Sequence, residues 1–219
     1  MNLKYLRLDD RLYRYVAACR SNVNDPVLEA LRKDTDALGD ISRMQISPEQ
    51  GSFMQLQVAA IGARSAIEVG TFTGYSSLCI ARGLAEGGRL ICLDQSEEWT
   101  AIARKYWAQA GVEKKIELRL GPAIPLLQKL ERGLTFDFAF IDADKTEYDA
   151  YYELVLPRVR QHGLILFDNM LWGGRLGGDQ VPEESGRAID RLNRKLASDE
   201  RIDSVLLPIA DGIQLCRKR

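Results

Sequence analysis

The fold is decided by the stretch IEVGTFTGYS, which runs from Ile67 to Ser76. It begins as an apolar strand, passes through a loop with two glycines, Gly70 and Gly74, and continues into a helical pattern. In a doubly wound α/β fold, the loop after the first strand is where a nucleotide binds. Taken alone, such a loop can also be an ordinary turn between a strand and a helix. Together with Asp94, 24 residues after Gly70, it indicates a nucleoside-binding loop.

The glycine loop lacks the dinucleotide-binding spacing G-x-G-x-x-G. With Gly70 as its first glycine, Phe72 and Tyr75 occupy the other two glycine positions. The Phe72 side chain lies where a pyrophosphate needs close approach to the backbone, which argues against an NAD-dependent dehydrogenase. Asp94 ends the second predicted strand, where an acid can accept hydrogen bonds from both ribose hydroxyls. These features predict a nucleoside ligand without phosphates.

Strand and helix patterns alternate from Ser65 to the C-terminus, which predicts a mostly parallel sheet with helices on both faces. The predicted strands are residues 66–69, 89–94, 116–120, 136–141, 164–167, 204–207 and 212–216, and the predicted helices are 75–85, 97–110, 124–129, 147–158 and 184–198. Only residues 208–211 separate the last two strands, which permits an antiparallel hairpin but not a parallel crossover. We therefore predict a Rossmann-like, doubly wound, seven-stranded α/β fold with a C-terminal antiparallel hairpin.

The chain before Ser65 has helical patterns, which predicts extra N-terminal helices. Asp25-Pro26 and Ser47-Pro48 each combine an N-cap with a proline at the first helical position. Gln50 is predicted to complete a capping box with Ser47, and residues 40–46 are predicted to be a loop. One domain is expected, with a helical segment at 1–62 and a cofactor- and metal-binding core at 63–219.

The composition is that of an ordinary globular domain, with 46% hydrophobic and 28% charged residues in 219. A net charge of −1 argues against a broad nucleic-acid-binding surface, so we do not expect nucleic acid as a partner. Because the sequence shows neither a bilayer-spanning stretch nor a secretory signal, we expect a cytoplasmic protein without a membrane partner. The cysteines, Cys19, Cys79, Cys92 and Cys216, are scattered and expected to be free thiols, and the single His162 excludes a multi-histidine metal site.

Polar side chains follow two predicted strands at the point where each strand ends. Asp142 follows strand 136–141, and Asp168 and Asn169 follow strand 164–167. Neighbouring strands lie roughly 4.8 Å apart, so the two carboxylates would meet at the ligand-binding edge of the sheet. A hard divalent cation would relieve their repulsion and accept the Asn169 amide oxygen. The sequence thus predicts a metal site, although Asp142 could instead cap the following helix.

These residues resemble the cation-dependent class I O-methyltransferases, the family of catechol O-methyltransferase and the caffeoyl-CoA O-methyltransferases. The matching motifs are ExGTxxGYS from Glu68 to Ser76, IDADK from Ile141 to Lys145, and DNxxW from Asp168 to Trp172. The resemblance runs from about Met44 to the C-terminus and looks strongest for the bacterial caffeoyl-CoA-type branch. It implies S-adenosylmethionine as methyl donor, a divalent cation (Mg²⁺, with Ca²⁺ or Mn²⁺ as alternatives) and a small phenolic acceptor, catechol-like or caffeoyl-type.

The resemblance also implies roles for individual residues. It assigns the cofactor site to Met44, Glu68, Gly70, Thr71, Ser76, Asp94, Gln95, Ala123 and Asp142. It assigns the metal to Asp142, Asp168 and Asn169, catalysis to Asp142 and to Lys145 as general base, and the acceptor pocket to Tyr148 and Trp172. The alternatives are a surface charge for Lys145, core packing for Tyr148, a loop anchor for Trp172, and a helix cap for Asp144. Because N-terminal segments in this family commonly form a dimer interface, a homodimer is expected.

The implied chemistry is physically reasonable for a phenol. Lowering a phenolic pKa from ~10 to ~7 requires about 4 kcal/mol, and a divalent cation can supply several kcal/mol while a vicinal diol chelates it. A nearby cation and burial would favour the neutral, basic form of Lys145, which would then accept the proton. Two other functions stay open at this point: methylation of a hydroxylated tRNA base, and a non-catalytic nucleoside-binding subunit of the same fold.

Overall fold

A seven-stranded β-sheet forms the centre of the protein, as shown by a computed structural model that describes residues 6–177 and 183–219. The strands are β1 (Ser65–Val69), β2 (Arg89–Asp94), β3 (Ile116–Leu120), β4 (Phe136–Ile141), β5 (Val159–Phe167), β6 (Ile202–Leu207) and β7 (Ile213–Lys218). Their order is β3-β2-β1-β4-β5-β7-β6. Strands β1 to β5 are parallel, and β7 runs antiparallel to β5 and β6. The predicted Rossmann-like sheet with its C-terminal antiparallel hairpin is confirmed.

Helices cover both faces of this sheet. Within the described residues they are α1 (Asp10–Ala18), α2 (Pro26–Asp36), α3 (Pro48–Ala60), α4 (Tyr75–Gly83), α5 (Glu97–Gln109), α6 (Ala123–Gln128), α7 (Tyr148–Val155) and α8 (Glu184–Ser198). Helices α2 to α5 pack on one face, and α6 to α8 pack on the other. Along β1, Ala66 belongs to the first layer and Ile67 and Val69 to the second, which is the period of two of a strand.

The chain order reverses between β1 and β4, because β2 and β3 lie on one side of β1 while β4 and β5 lie on the other. In an open α/β sheet, a crevice forms at such a point, beyond the carboxyl ends of the strands. The two backbones that leave these strands are close together, since a Cβ atom at Gly70 would lie 1.9 Å from the carbonyl oxygen of Asp142. The glycine loop and the first predicted metal ligand therefore share one crevice.

Two predictions near the N-terminus are wrong in detail. The predicted loop at 40–46 is largely a 3-10 helix at Gly39–Met44, because the chain turns at Gly39 (φ +76°) and winds up again after α2. Ser47 caps α3 as predicted, accepting from the Gln50 backbone N–H at 3.4 Å. The Gln50 side chain, however, is buried and faces a cavity, and the Ser47 hydroxyl donates to Glu49 Oε1 at 2.6 Å instead.

Strand β5 begins at Val159, five positions earlier than the predicted Leu164. The pairing of β4 with β5 shifts register between the Phe136–Val159 and Phe138–Leu164 pairs, which makes a β-bulge with His162 at φ +64°. A bulge interrupts the alternation of side chains, so the first half of the strand is not visible as a sequence pattern.

Helix α7 is shorter than the predicted 147–158, because a 3-10 turn precedes it at Lys145–Glu147 and another follows it at Leu156–Arg158. Cys79, Cys92 and Cys216 are buried free thiols and Cys19 is an exposed one. Among the helices in the described part of the chain, none combines the length and apolar character needed to cross a membrane.

Candidate active site

A single cavity at the carboxyl edge of the sheet contains most of the predicted site residues. Those that line it are Met44, Gly70, Thr71, Ser76, Asp94, Gln95, Ala123, Asp142, Lys145, Asp168, Asn169 and Trp172. Glu68 and Tyr148 lie behind its wall, and both are fully buried. Residues from the ends of β1, β2, β4 and β5 thus converge as the parallel-sheet argument predicts.

The glycine loop is held in place by Asp94. Its Oδ2 atom accepts the backbone N–H groups of Thr71 and Phe72, both at 2.8 Å, and its Oδ1 atom accepts that of Ser96 at 2.8 Å. Phe72 adopts φ +51°, and its ring packs edge-on against Trp99. The acid predicted to bind ribose therefore also fixes the loop beside it, a role that the sequence pattern did not indicate.

Glu68 is a buried carboxyl group beneath the loop, with 0% of its surface exposed. Neither of its carboxyl oxygens has a hydrogen-bond partner among the described residues. Burial raises its pKa to about 7, and the nearby hydroxyls of Ser76 and Thr71 only partly offset this effect. An unpaired polar group in such a place is costly to fold, which is typical of a ligand-binding position.

Three further predicted cofactor residues lie around the same crevice. Met44 ends the 3-10 helix and leaves 44% of its surface exposed beside the cavity, a large apolar side chain without full cover. Gln95 directly follows Asp94, and Ala123 begins α6. Their positions are compatible with an adenosine-like ligand, and their contacts with it stay predictions.

Asp142 and Asp168 face each other at the ends of adjacent strands. The residues before them, Ile141 and Phe167, are register partners in the β4–β5 pair. Asp168 is only 4% exposed, and burial followed by the negative charge of Asp142 raises its pKa to about 7. The Gln50 amide lowers the pKa of Asp168, and so does the Asn169 backbone N–H, which donates to Asp168 Oδ1 at 2.6 Å. The two aspartates therefore leave adjacent strands at the same edge of the sheet, and both line the cavity.

Lys145 connects Asp142 to Tyr148, which is buried behind the wall of the cavity. Its Nζ atom donates to Asp142 Oδ1 at 2.6 Å and to the Tyr148 hydroxyl at 2.8 Å. The Tyr148 hydroxyl in turn donates to the Asp168 backbone carbonyl at 3.3 Å, and its ring packs on Phe167 at 5.8 Å between centroids. Because Tyr148 is 0% exposed, the structure places it as a support for Lys145 rather than as a wall of the acceptor pocket.

Trp172 lies at the mouth of the cavity, in the loop after β5. Its indole Nε1 donates to Glu183 Oε1 at 2.7 Å, and the Arg175 guanidinium lies 5.3 Å from the ring centroid. Its backbone is left-handed at φ +51°. Trp172 is thus both anchored to its own loop and exposed to the cavity, so the two predicted roles are compatible.

Gln50 and Asp211 are among the polar side chains of the cavity that sequence reasoning did not assign to the site. Gln50 is 1% exposed, lines the cavity near Asp168, and its Nε2 makes no hydrogen bond to any described residue. Asp211 lies in the turn between β6 and β7, and its side chain contacts Asn169. No local signal marks either residue, because each reaches the site from an element distant in sequence.

An open sheet of this strand order, with a glycine loop after β1, an acid after β2 and polar side chains at the edge of β4 and β5, defines a Rossmann-like methyltransferase. The family model described as O-methyltransferase matches residues 18–219. The protein therefore belongs to the O-methyltransferase family, and the predicted enzyme class is confirmed.

The relatives agree with this family. The chain is 45% identical over 179 residues to probable caffeoyl-CoA O-methyltransferase 2 of Dictyostelium discoideum, covering 80% of this chain and 78% of the relative. It is 36% identical over 225 residues to caffeoyl-CoA O-methyltransferase 2 of Zea mays, covering 98% and 85%. The O-methyltransferase of Bacillus cereus, solved in complex with SAH, superimposes with a TM-score of 0.86 at 32% identity, covering 94% of this chain and 96% of that one.

Proposed function

We propose that this protein transfers a methyl group from S-adenosylmethionine to a hydroxyl of a small catechol-like or caffeoyl-type acceptor, with a divalent cation. The observation that carries the proposal is the arrangement of Asp142, Asp168 and Lys145 beside the glycine loop, in one cavity. Donor and acceptor sites that share a cavity allow the methyl group and the hydroxyl to be held in line.

The glycine loop and Glu68 support S-adenosylmethionine as the donor. Phe72, in place of the second glycine of the dinucleotide spacing, favours a nucleoside over a pyrophosphate, and Asp94 would bind the ribose from the end of β2. The two carboxyl oxygens of Glu68, which lack hydrogen-bond partners among the described residues, suit the cationic amino group of the donor. The similar Bacillus cereus enzyme was solved with SAH, which further supports a donor of this class.

Replacing Asp94 by alanine is expected to weaken S-adenosylhomocysteine binding roughly 30- to 100-fold. The loop loses the acceptor for its Thr71 and Phe72 N–H groups, and hydrogen bonds to charged groups are worth about 1.5–3 kcal/mol. Isothermal titration calorimetry measures the change. Asp94→Asn retains one acceptor oxygen and should fall between the wild type and the alanine variant. A dissociation constant unchanged in Asp94→Ala would contradict the assigned role.

The oxygen atoms at the acidic edge fit a hard cation. Two carboxylates and one carboxamide, from Asp142, Asp168 and Asn169, form a set that Mg²⁺ or Ca²⁺ prefers, with solvent or the acceptor completing it. Within the described residues, no group of three or more His, Cys, Asp or Glu side chains could hold a metal ion. The proposed set instead combines two carboxylates with the Asn169 amide, and a cation would relieve the burial and the repulsion from Asp142 that raise the pKa of Asp168.

The chain's own groups then have defined tasks. The cation, when bound, would polarise the acceptor hydroxyl and favour its ionised form. Lys145, which contacts Asp142 and the Tyr148 hydroxyl, would receive the hydroxyl proton in its neutral form. Trp172 and Met44 offer apolar surface at the cavity mouth for an aromatic acceptor. A vicinal diol suits this site because both its oxygens can reach one cation.

A methylation assay with and without chelator tests the proposal directly. Purified protein receives S-adenosylmethionine, Mg²⁺ and, in separate reactions, a catechol panel, a caffeoyl thioester and bulk tRNA. We expect methylated phenol, loss of activity with chelator, and recovery when Mg²⁺ or Mn²⁺ is restored. Activity insensitive to the chelator would overturn the cation role. Methylation of tRNA alone would replace the proposed acceptor with a hydroxylated base.

A homodimer is also proposed, through the N-terminal segment. Helix α1 contains no buried residue among those described, and its apolar side chains Tyr15 and Val16 are exposed, as are Leu6 and Leu8 just before it. Residues 1–5 of this segment lie outside the described part of the chain. A second copy that covers these side chains would remove apolar surface from water.

A further inference from the structure

Asp211 reaches the site from the far end of the sheet. It lies in the turn between β6 and β7, and β7 pairs with β5, so the turn is brought next to the end of β5. Its Oδ2 atom accepts the side-chain Nδ2 of Asn169 at 3.3 Å, and its Oδ1 atom accepts the backbone N–H of Gly173 at 2.6 Å. One carboxylate therefore contacts both a predicted metal ligand and the loop that carries Trp172.

The contact with Asn169 decides which way its amide faces. An ionised carboxylate only accepts hydrogen bonds, so the Asn169 amide must present its NH₂ group to Asp211. Its carbonyl oxygen, the only atom of the amide that can bind a hard cation, is then directed elsewhere. The Asn169 backbone is fixed as well, in the left-handed region at φ +58° and by its N–H bond to Asp168 Oδ1 at 2.6 Å.

The same turn is locked onto the loop after β5. The backbone N–H of Leu171 donates to the Asp211 carbonyl at 2.8 Å, and that of Met170 donates to the Gly212 carbonyl at 3.0 Å. A Cβ atom at Gly212 would lie 2.5 Å from Leu171 Cγ, so the two segments are in close contact. Any movement of Asp211 therefore moves both Asn169 and the loop of Trp172.

We infer that Asp211 is a positioning residue: it turns the Asn169 carbonyl oxygen toward the cation and holds the Trp172 loop, which links cation binding to the orientation of the acceptor. This inference rests on the proposed cation-dependent function. Residues that orient a metal ligand through its second polar group typically change metal affinity 10- to 100-fold when they are removed.

Manganese binding tests the first half of the inference without any turnover. Free Mn²⁺ is measured by its paramagnetic resonance signal, in the presence of S-adenosylhomocysteine, for the wild type, Asp211→Ala and Asp211→Asn. Asp211→Ala is expected to raise the Mn²⁺ dissociation constant 10- to 100-fold, with S-adenosylhomocysteine affinity unchanged. Asp211→Asn retains one acceptor oxygen, so it should show a smaller increase and covers the case in which the alanine variant does not fold.

Asp203→Asn is the matched control, because it removes the same charge from the same hairpin. Asp203 pairs with Arg217 and Arg219 at the opposite end of β6 from the cavity, and its variant should bind Mn²⁺ like the wild type. Equal Mn²⁺ affinity in the wild type and both Asp211 variants would overturn the inference alone. A wild type that binds S-adenosylhomocysteine but no Mn²⁺ would overturn the proposed cation as well.

The ratio of methylated regioisomers tests the second half of the inference, the link between Asp211 and the orientation of the acceptor. With an asymmetric catechol and saturating Mg²⁺, the wild type sets a ratio of meta to para methylation. Asp211→Ala is expected to shift that ratio toward unity, because the Trp172 loop loses the bond that Gly173 donates to Asp211, and Asp211→Asn, with one acceptor oxygen left, is expected to shift it less. An unchanged ratio in variants with weakened Mn²⁺ binding would show that Asp211 orients the metal ligand only, and would overturn the proposed link to the acceptor.

Discussion

Replacing Asp168 and Asn169 together by alanine is expected to lower kcat/KM for methyl transfer about a thousandfold or more. The cation is proposed to supply most of the roughly 4 kcal/mol needed to ionise a phenol, and tenfold in rate corresponds to about 1.36 kcal/mol. With both side chains removed, Asp142 is the one proposed metal ligand left, and the Lys145 Nζ atom lies 2.6 Å from its Oδ1 atom. Steady-state kinetics across a Mg²⁺ titration measure the loss.

The fold and the donor site should survive this double replacement. Asp168 is a buried carboxyl that faces a second acid, so its removal relieves a repulsion rather than breaking an ion pair. The melting temperature, measured by thermal unfolding, and the S-adenosylhomocysteine dissociation constant, measured by calorimetry, are therefore expected to remain close to the wild-type values. Asp144→Ala is the matched control, since Asp144 lies in the same loop as Asp142 but accepts from Thr146 as a local cap. A double variant with wild-type turnover would refute the metal role of this edge.

Replacing Gly70 by alanine is expected to lower the free energy of unfolding by about 3–5 kcal/mol and to abolish cofactor binding. Two costs add at this residue. Its backbone has φ +90°, which costs an L-residue roughly 1–2 kcal/mol, and its Cβ would lie 1.9 Å from the Asp142 carbonyl oxygen. The clash can be relieved only by moving β1 away from β4 at the point where the cavity forms. Urea denaturation and S-adenosylhomocysteine calorimetry measure the two effects.

Gly87→Ala separates the two costs. Gly87 also has a left-handed backbone, at φ +70°, but a Cβ atom there would meet nothing within 4 Å. The Gly87→Ala variant should lose only about 1 kcal/mol of its free energy of unfolding and bind the cofactor with normal affinity. If Gly70→Ala proved no less stable than Gly87→Ala, the close approach of the glycine loop to Asp142 would not be the constraint that the structure indicates.

Buried parallel strands are the elements that sequence reasoning predicted best. The predicted bounds of β2, β3 and β4 are the observed ones, because each is a short apolar run between turn signals. The predictions that were wrong in detail lie where the structure depends on contacts with another part of the chain. The bulge near His162 depends on how β5 pairs with β4, and the 3-10 helix after Gly39 depends on how the N-terminal segment returns to the sheet.

Side-chain direction was predictable at strand ends and not elsewhere. Asp142 and Asp168 were predicted at one edge because parallel strands end there, and the register of β4 and β5 places them side by side at that edge. Gln50 was predicted to cap its helix and instead is buried against the cavity near Asp168. Tyr148 was predicted at the acceptor and is enclosed behind Lys145 by α7 packing on β5.

Local sequence patterns predicted which segments form strands and helices, the glycine loop, the acid at the end of β2 and the acids just after β4 and β5. These features are local, and apolar periodicity and turn residues record them directly. The packed fold alone brings Asp94 to the backbone of the glycine loop, the Tyr148 hydroxyl to the Asp168 carbonyl, and Asp211 to Asn169. Each of these contacts depends on which side chains the packed sheet and its loops bring together, and no spacing along the chain specifies such a meeting.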